Sequence, residues 1–133
     1  MCLIVKKRWH KDGKPLIAEE NIPVFKVLRK DTHRGLETPF FEYPIVFKDG
    51  KAILESELVG LKPITPNGSY RCHKGIHACL DHLSSRALAC RCPGGNGSVY
   101  KAIIPKGAKY LIGINGDIVS TKMIIFEKKW YEK

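Results

Sequence analysis

Tyr110-Leu111-Ile112-Gly113-Ile114, Asn115-Gly116 and Asp117-Ile118-Val119 form two apolar runs parted by a single dipeptide. Asn-Gly at such a junction predicts a two-residue β-hairpin, because a type I′ turn needs positive φ at both central positions. Outward from it, Val99-Tyr100-Lys101-Ala102-Ile103-Ile104 and Lys122-Met123-Ile124-Ile125-Phe126 read as strands, being rich in β-branched and aromatic residues. Asp49-Gly50 repeats the device between Ile45-Val46-Phe47-Lys48 and Lys51-Ala52-Ile53-Leu54. Asp12-Gly13 does so between the run opening at Cys2 and Pro15-Leu16-Ile17-Ala18. Val24-Phe25-Lys26-Val27-Leu28 adds another strand.

Helical signals are few. Glu55 to Gly60 allows one turn at most before Gly60 and Pro63. Over 81–90, Leu83, Ala87 and Leu88 share a face with Leu80, and Asp81 can cap the start. The expected fold is therefore α+β: one domain over residues 1–133, dominated by antiparallel sheet, with one short helix near 81–90.

Composition limits what this domain can be. At 133 residues, 44% hydrophobic and 27% charged, the chain can build one core and is neither low-complexity nor disordered. No stretch reaches the roughly 18 apolar residues of a membrane span. The basic residues Lys6-Lys7-Arg8 follow the first apolar run, the reverse of a signal peptide, so a cytoplasmic protein is expected. Five cysteines, an odd number, are then read as reduced.

The formal charge is +10, of which residues 1–66 carry +3 and residues 67–133 carry +7. Lys101, Lys106, Lys109 and Lys122 contribute to the richer half. Such a field attracts an anionic small molecule or nucleotide. Nucleic acid is less expected, since neither a recognition helix nor interleaved surface aromatics are apparent. The loop Arg29 to Gly35 could touch an anion or be a solvated turn. No phosphate loop or dinucleotide fingerprint occurs; Pro93-Gly94-Gly95-Asn96-Gly97 precedes a strand instead of following one.

Seven potential metal ligands lie between Cys72 and Cys92: Cys72, His73, His77, Cys79, His82, Cys90 and Cys92. Their chemistry suits zinc, but the spacing lacks the Cys-x₂₋₄-Cys knuckle of structural sites. No metal is expected. A zinc-stabilised domain would draw on Cys72, His77, Cys79, Cys90 and Cys92.

Lys74-Gly75-Ile76-His77-Ala78-Cys79-Leu80-Asp81-His82-Leu83-Ser84-Ser85-Arg86-Ala87 resembles a strand-and-helix motif of the ADP-ribosyltransferase superfamily. It is similar, too, to small proteins of phages and gut bacteria that share a Gly-Ile/Phe-His-x-Cys segment. The likeness spans roughly residues 68–127, with 24–28 as the first strand. It implies NAD as cofactor, with Gly75 and His77 binding it. Lys26 would stand where the family's Arg or His grips NAD. His77 would take the place of the aromatic against nicotinamide, and Asp117 that of the acid supporting ribosyl charge. Each departs from the family's usual residue: Lys26 lacks the guanidinium fork, His77 is a smaller platform, and Asp117 is one methylene shorter than glutamate. Each also has a plainer reading, with Lys26 facing solvent, His77 half-buried and hydrogen-bonded, and Asp117 merely following a turn. The expectation is a domain that binds a nucleotide or other anion without robust catalysis. Any turnover would be NAD-dependent ADP-ribosyl transfer or related glycosidic chemistry. The other readings are a non-enzymatic basic protein that meets nucleic acid or an acidic partner, and the zinc-stabilised domain.

Overall fold

A computed structural model describes residues 3–4, 14–31, 35–37, 44–58, 62–63, 70–72, 75–81, 97–113 and 116–131. Among these residues twelve strands follow one another: β1 (Leu3–Ile4), β2 (Leu16–Ile17), β3 (Ile22–Asp31), β4 (Gly35–Glu37), β5 (Lys51–Glu55), β6 (Lys62–Pro63), β7 (Tyr70–Cys72), β8 (Ile76–Cys79), β9 (Gly97–Ile104), β10 (Lys109–Ile112), β11 (Asp117–Ser120) and β12 (Lys122–Lys129). Nine form one antiparallel sheet, ordered β2-β10-β11-β8-β3-β9-β12-β5 with β4 added on β3. A small sheet orders β1-β7-β6.

Among the described residues there is sheet and no helix, so the α+β expectation is corrected to an all-β, antiparallel architecture. Residues 82–90, where the helix was expected, lie outside the described residues, and Asp81 is an exposed bend. Of the turn allowed at 55–60, Glu55 ends β5, 56–58 continue without regular structure, and 59–60 lie outside the described residues. The physical reason is periodicity. Burial along β5 alternates strictly, and an alternating segment can bury one face only as a strand.

That alternation gives the large sheet its buried face. Val24 and Leu28 of β3, Ala102 and Ile104 of β9, Met123 and Ile125 of β12, and Ile118 of β11 build the main core. Leu28, Ile104, Ile118 and Ile125 are wholly buried, each worth roughly 1.5–3 kcal/mol relative to exposure. On the opposite face, Val27 and Val99 make a smaller cluster with Phe25 and Trp130.

The hairpin cues fare differently. β10 and β11 pair, with Leu111 opposite Val119 and Gly116 at φ 77°, but Ile112 faces Ile118 and Gly113 N donates to Asp117 O, one residue out of the register of a two-residue loop at Asn115-Gly116. At Asp49-Gly50 the turn forms, both residues having positive φ, yet only Lys48 and Lys51 bridge. Before it the chain leaves the ladder because Ile45 is buried in the core and Phe47 packs 5.8 Å from Tyr100. The first expected hairpin is a misreading: β2 pairs with β10, and β1 pairs with β7. A turn dipeptide sets local geometry; it does not choose the partner of a two-residue strand. No helix among the described residues is long and apolar enough to cross a membrane.

Candidate functional site at the β3, β8 and β11 junction

Three adjacent strands carry the residues singled out in the sequence. In β8 and β11 the facing pairs are Asp117 with Cys79, Ile118 with Ala78, Val119 with His77 and Ser120 with Ile76. Leu80 N donates to Gly116 O at 2.9 Å, which fixes the phase of the ladder. Ala78 and Ile76 are therefore the hydrogen-bonded positions, while His77 and Cys79 turn their main-chain groups towards β3. It follows that the side chains of His77, Cys79, Asp117 and Val119 share the face opposite the main core, and non-hydrogen-bonded pairs bring side chains closest.

β8 meets β3 at a single register pair, Phe25 with Cys79. Further along the same edge, β3 is taken over by β4, with Arg29 opposite Glu37. Between these two pairings the ladder is open. Lys26 fills the opening. It alternates with Val24 and Leu28 on the main-core face, is 7% exposed, and its Nζ donates to His77 O at 2.5 Å. A backbone carbonyl that lacks a ladder partner is thus satisfied by a buried ammonium. Burial lowers the Lys26 pKa from its ordinary 10.5 to about 8, opposed by the nearby sulfur of the buried Cys79.

His77 is half-buried. Its Nδ1 lies 3.2 Å from Gly75 O. A carbonyl only accepts, so Nδ1–H is the donor and Nε2 carries the lone pair. Burial, followed by the charge of Lys26, lowers the His77 pKa from 6.5 to about 4, against the opposing pull of the Gly75 carbonyl. The ring is therefore neutral at physiological pH. Its Nε2 is buried without a hydrogen-bond partner, and so is Oδ1 of Asp117.

Gly75 holds the ring in place by backbone geometry. At φ 144° a side chain is strained, and an added Cβ would sit 2.4 Å from Val119 Cγ2 and 2.7 Å from Leu58 Cδ2. Leu58 can yield; the wholly buried Val119 cannot. Gly75→Ala is expected to lower stability by about 2 kcal/mol, from overpacking and backbone strain together. Urea unfolding measures this, and an unchanged midpoint would show that the β8 entry relaxes freely.

The structure thus places Lys26, His77 and Asp117 on neighbouring strands. Lys26 reaches His77 through the main chain from the other face, and Asp117 stands diagonally from His77 across β11. Lys26 is not a solvent-facing residue. Cys79 is the residue the sequence reading left out of this group, having been assigned to the metal set. Of that set, Cys72 lies on β7 and His77 and Cys79 on β8, whereas His73, His82, Cys90 and Cys92 lie outside the described residues. Among the described residues no three His, Cys, Asp or Glu side chains are arranged to hold a metal ion.

Elsewhere, Lys106 and Lys122 line an open groove with Glu55, Ser56 and Thr121, and Lys122 pairs with Glu55 at 3.5 Å. Lys109 is exposed on β10 and Lys101 partly exposed on β9. Of the polar loop after Leu28, Arg29 and Lys30 belong to β3 itself, and 32–34 lie outside the described residues. The glycine-rich stretch does too, except Gly97, which opens β9. No protein-family model matches the chain, and neither does any curated protein or solved structure.

Proposed function

We propose that the chain is a binding domain for a nucleotide-class small molecule, seated on the β8 and β11 face around His77 and Asp117. The observation that carries this reading is the pair of buried, unpartnered polar atoms on that face. An unsatisfied buried acceptor costs about 1–3 kcal/mol, so two on neighbouring strands call for a partner from outside the chain. The surplus of positive charge supports an anionic ligand by steering it, without naming its contacts. Binding without turnover is favoured by Lys26. The cation that the ADP-ribosyltransferase likeness would set on NAD is buried on a carbonyl instead. The reading is of a cytoplasmic protein, in keeping with Cys79 outside any disulfide.

Thermal unfolding with NAD, ADP-ribose, AMP and cyclic nucleotides tests it. A ligand at a hundredfold excess over Kd stabilises by about 2.7 kcal/mol, a shift of several degrees. No stabilisation by any of them at millimolar concentration would end the reading.

A second reading, a basic surface for nucleic acid or an acidic partner, rests on the lysines of the groove. Binding to single-stranded nucleic acid that falls steeply with salt and is lost in Lys106→Glu/Lys122→Glu would favour it; salt-independent binding would not.

A further inference from the structure

Both unpartnered atoms of the site are acceptors. His77 spends its one ring hydrogen on Gly75 O, leaving Nε2 with a lone pair, and Oδ1 of Asp117 is a carboxylate oxygen. The neutral state of the ring, with its pKa near 4, keeps Nε2 an acceptor at physiological pH. The nearby cation does not change this, because the Lys26 ammonium is directed to the main-chain oxygen of His77. Two buried acceptors repel a phosphate. Whatever completes this face must arrive with hydrogens.

The strand geometry limits that group further. Asp117 faces Cys79 and His77 faces Val119, so His77 and Asp117 are diagonal neighbours on one face. Diagonal positions of an antiparallel pair lie roughly 7–8 Å apart at Cα, within reach of a group between two polar side chains. One centre bearing two hydrogens at a wide angle satisfies both acceptors at once. A hydroxyl has one hydrogen and satisfies only one of them. A primary amino group has two.

The geometry points to a ligand whose exocyclic amino group is shared between His77 Nε2 and Asp117 Oδ1, as on an adenine- or cytosine-type base. This rests on the nucleotide reading above and assigns that ligand's polarity: the base enters at β8 and β11, and the phosphate stays outside. It also predicts discrimination. A base with a carbonyl in place of the amine sets oxygen against two acceptors, and sites built for a donor reject such analogues strongly.

The test compares AMP with IMP, which differ in that amine, on the intact chain. The ¹⁵N resonance of His77 Nε2 is the readout, because it reports hydrogen bonding at that atom directly. Adenine base and inorganic phosphate serve as separate probes, and Asp117→Asn as the variant. AMP is expected to move the Nε2 resonance and bind at least tenfold more tightly than IMP. Phosphate is expected to leave the resonance in place, and Asp117→Asn to weaken AMP at least tenfold. Equal affinity for AMP and IMP would overturn the amino contact while leaving nucleotide binding intact. If adenine moves the resonance and no nucleotide does, the amino contact stands and the nucleotide reading falls. If no probe moves it, the two acceptors are bridged by a water alone, and the inference is overturned.

Discussion

Raising the pH from 8 to 10.5 is expected to stabilise the protein, through Lys26, by about 3 kcal/mol. The sign follows from its pKa, about 8 in the folded chain against 10.5 when exposed. Across that window the unfolded chain binds more protons than the folded one, so stability rises with pH and levels off above the unfolded pKa. At 1.36 kcal/mol per unit the lowering amounts to about 3 kcal/mol. Below pH 8 the folded state keeps its ammonium buried, with a carbonyl oxygen as the hydrogen-bond partner. Other groups titrate in the same window, and the charge of +10 relaxes as they do. The comparison is therefore between wild type and Lys26→Met, each unfolded in urea at pH 7, 8, 9, 10 and 10.5.

Lys26→Met removes the buried charge and keeps the apolar stem. It also orphans the His77 carbonyl, at about 1–3 kcal/mol. These effects oppose each other at pH 7, where the variant is expected within about 1 kcal/mol of wild type. At pH 10.5 the wild type should exceed it by several kcal/mol. Parallel pH profiles would mean that Lys26 is hydrated in the folded state and that the junction is not closed as described.

Lys26 also marks how far the sequence could be read. Its strand was legible, and so was its position between Val24 and Leu28, two residues of the buried set. Alternation with those two residues sets the lysine on the inward face, whereas the plainer reading of the sequence had it facing solvent. What the sequence could not show is the break in the ladder that gives its ammonium a partner, because that depends on β8 leaving β3 after one pair. The β10–β11 hairpin was legible for a local reason, a turn dipeptide between two runs that pair with each other. β2 and β1 were misjudged since their partners, at Lys109–Tyr110 and Arg71–Cys72, are distant in sequence. The α+β expectation gave weight to a helical pattern over 81–90 that the described strands do not need. At the site, the proximity of His77 to Asp117 could be read once β8 was known to pair with β11. The tautomer of His77 could not, because it is set by a carbonyl two residues away whose direction depends on the φ of Gly75.

That tautomer governs the second large effect, an acid limb in stability between pH 6.5 and 4. The folded pKa of His77 is about 4 and its ordinary value 6.5, so the unfolded chain again binds more protons within the window. Stability on this account is complete above pH 6.5 and is lost as pH falls towards 4, by about 3 kcal/mol in all. Charging the ring demands a second ring hydrogen at Nε2, in a half-buried place and beside the Lys26 ammonium. His77→Asn keeps a donor for Gly75 O and cannot take on charge. Its urea midpoint should fall less steeply than that of wild type from pH 6.5 to 4, and the difference between the two profiles isolates the histidine from the carboxylates. Oδ1 of Asp117 stands on the same face as an acceptor for the new hydrogen. If it moves to take that hydrogen, the limb shrinks, and Asp117→Asn should then steepen it. A wild-type midpoint no more acid-sensitive than that of His77→Asn would place the ring in water. The two acceptors would then need no partner, and the argument for a ligand on this face would lose its ground.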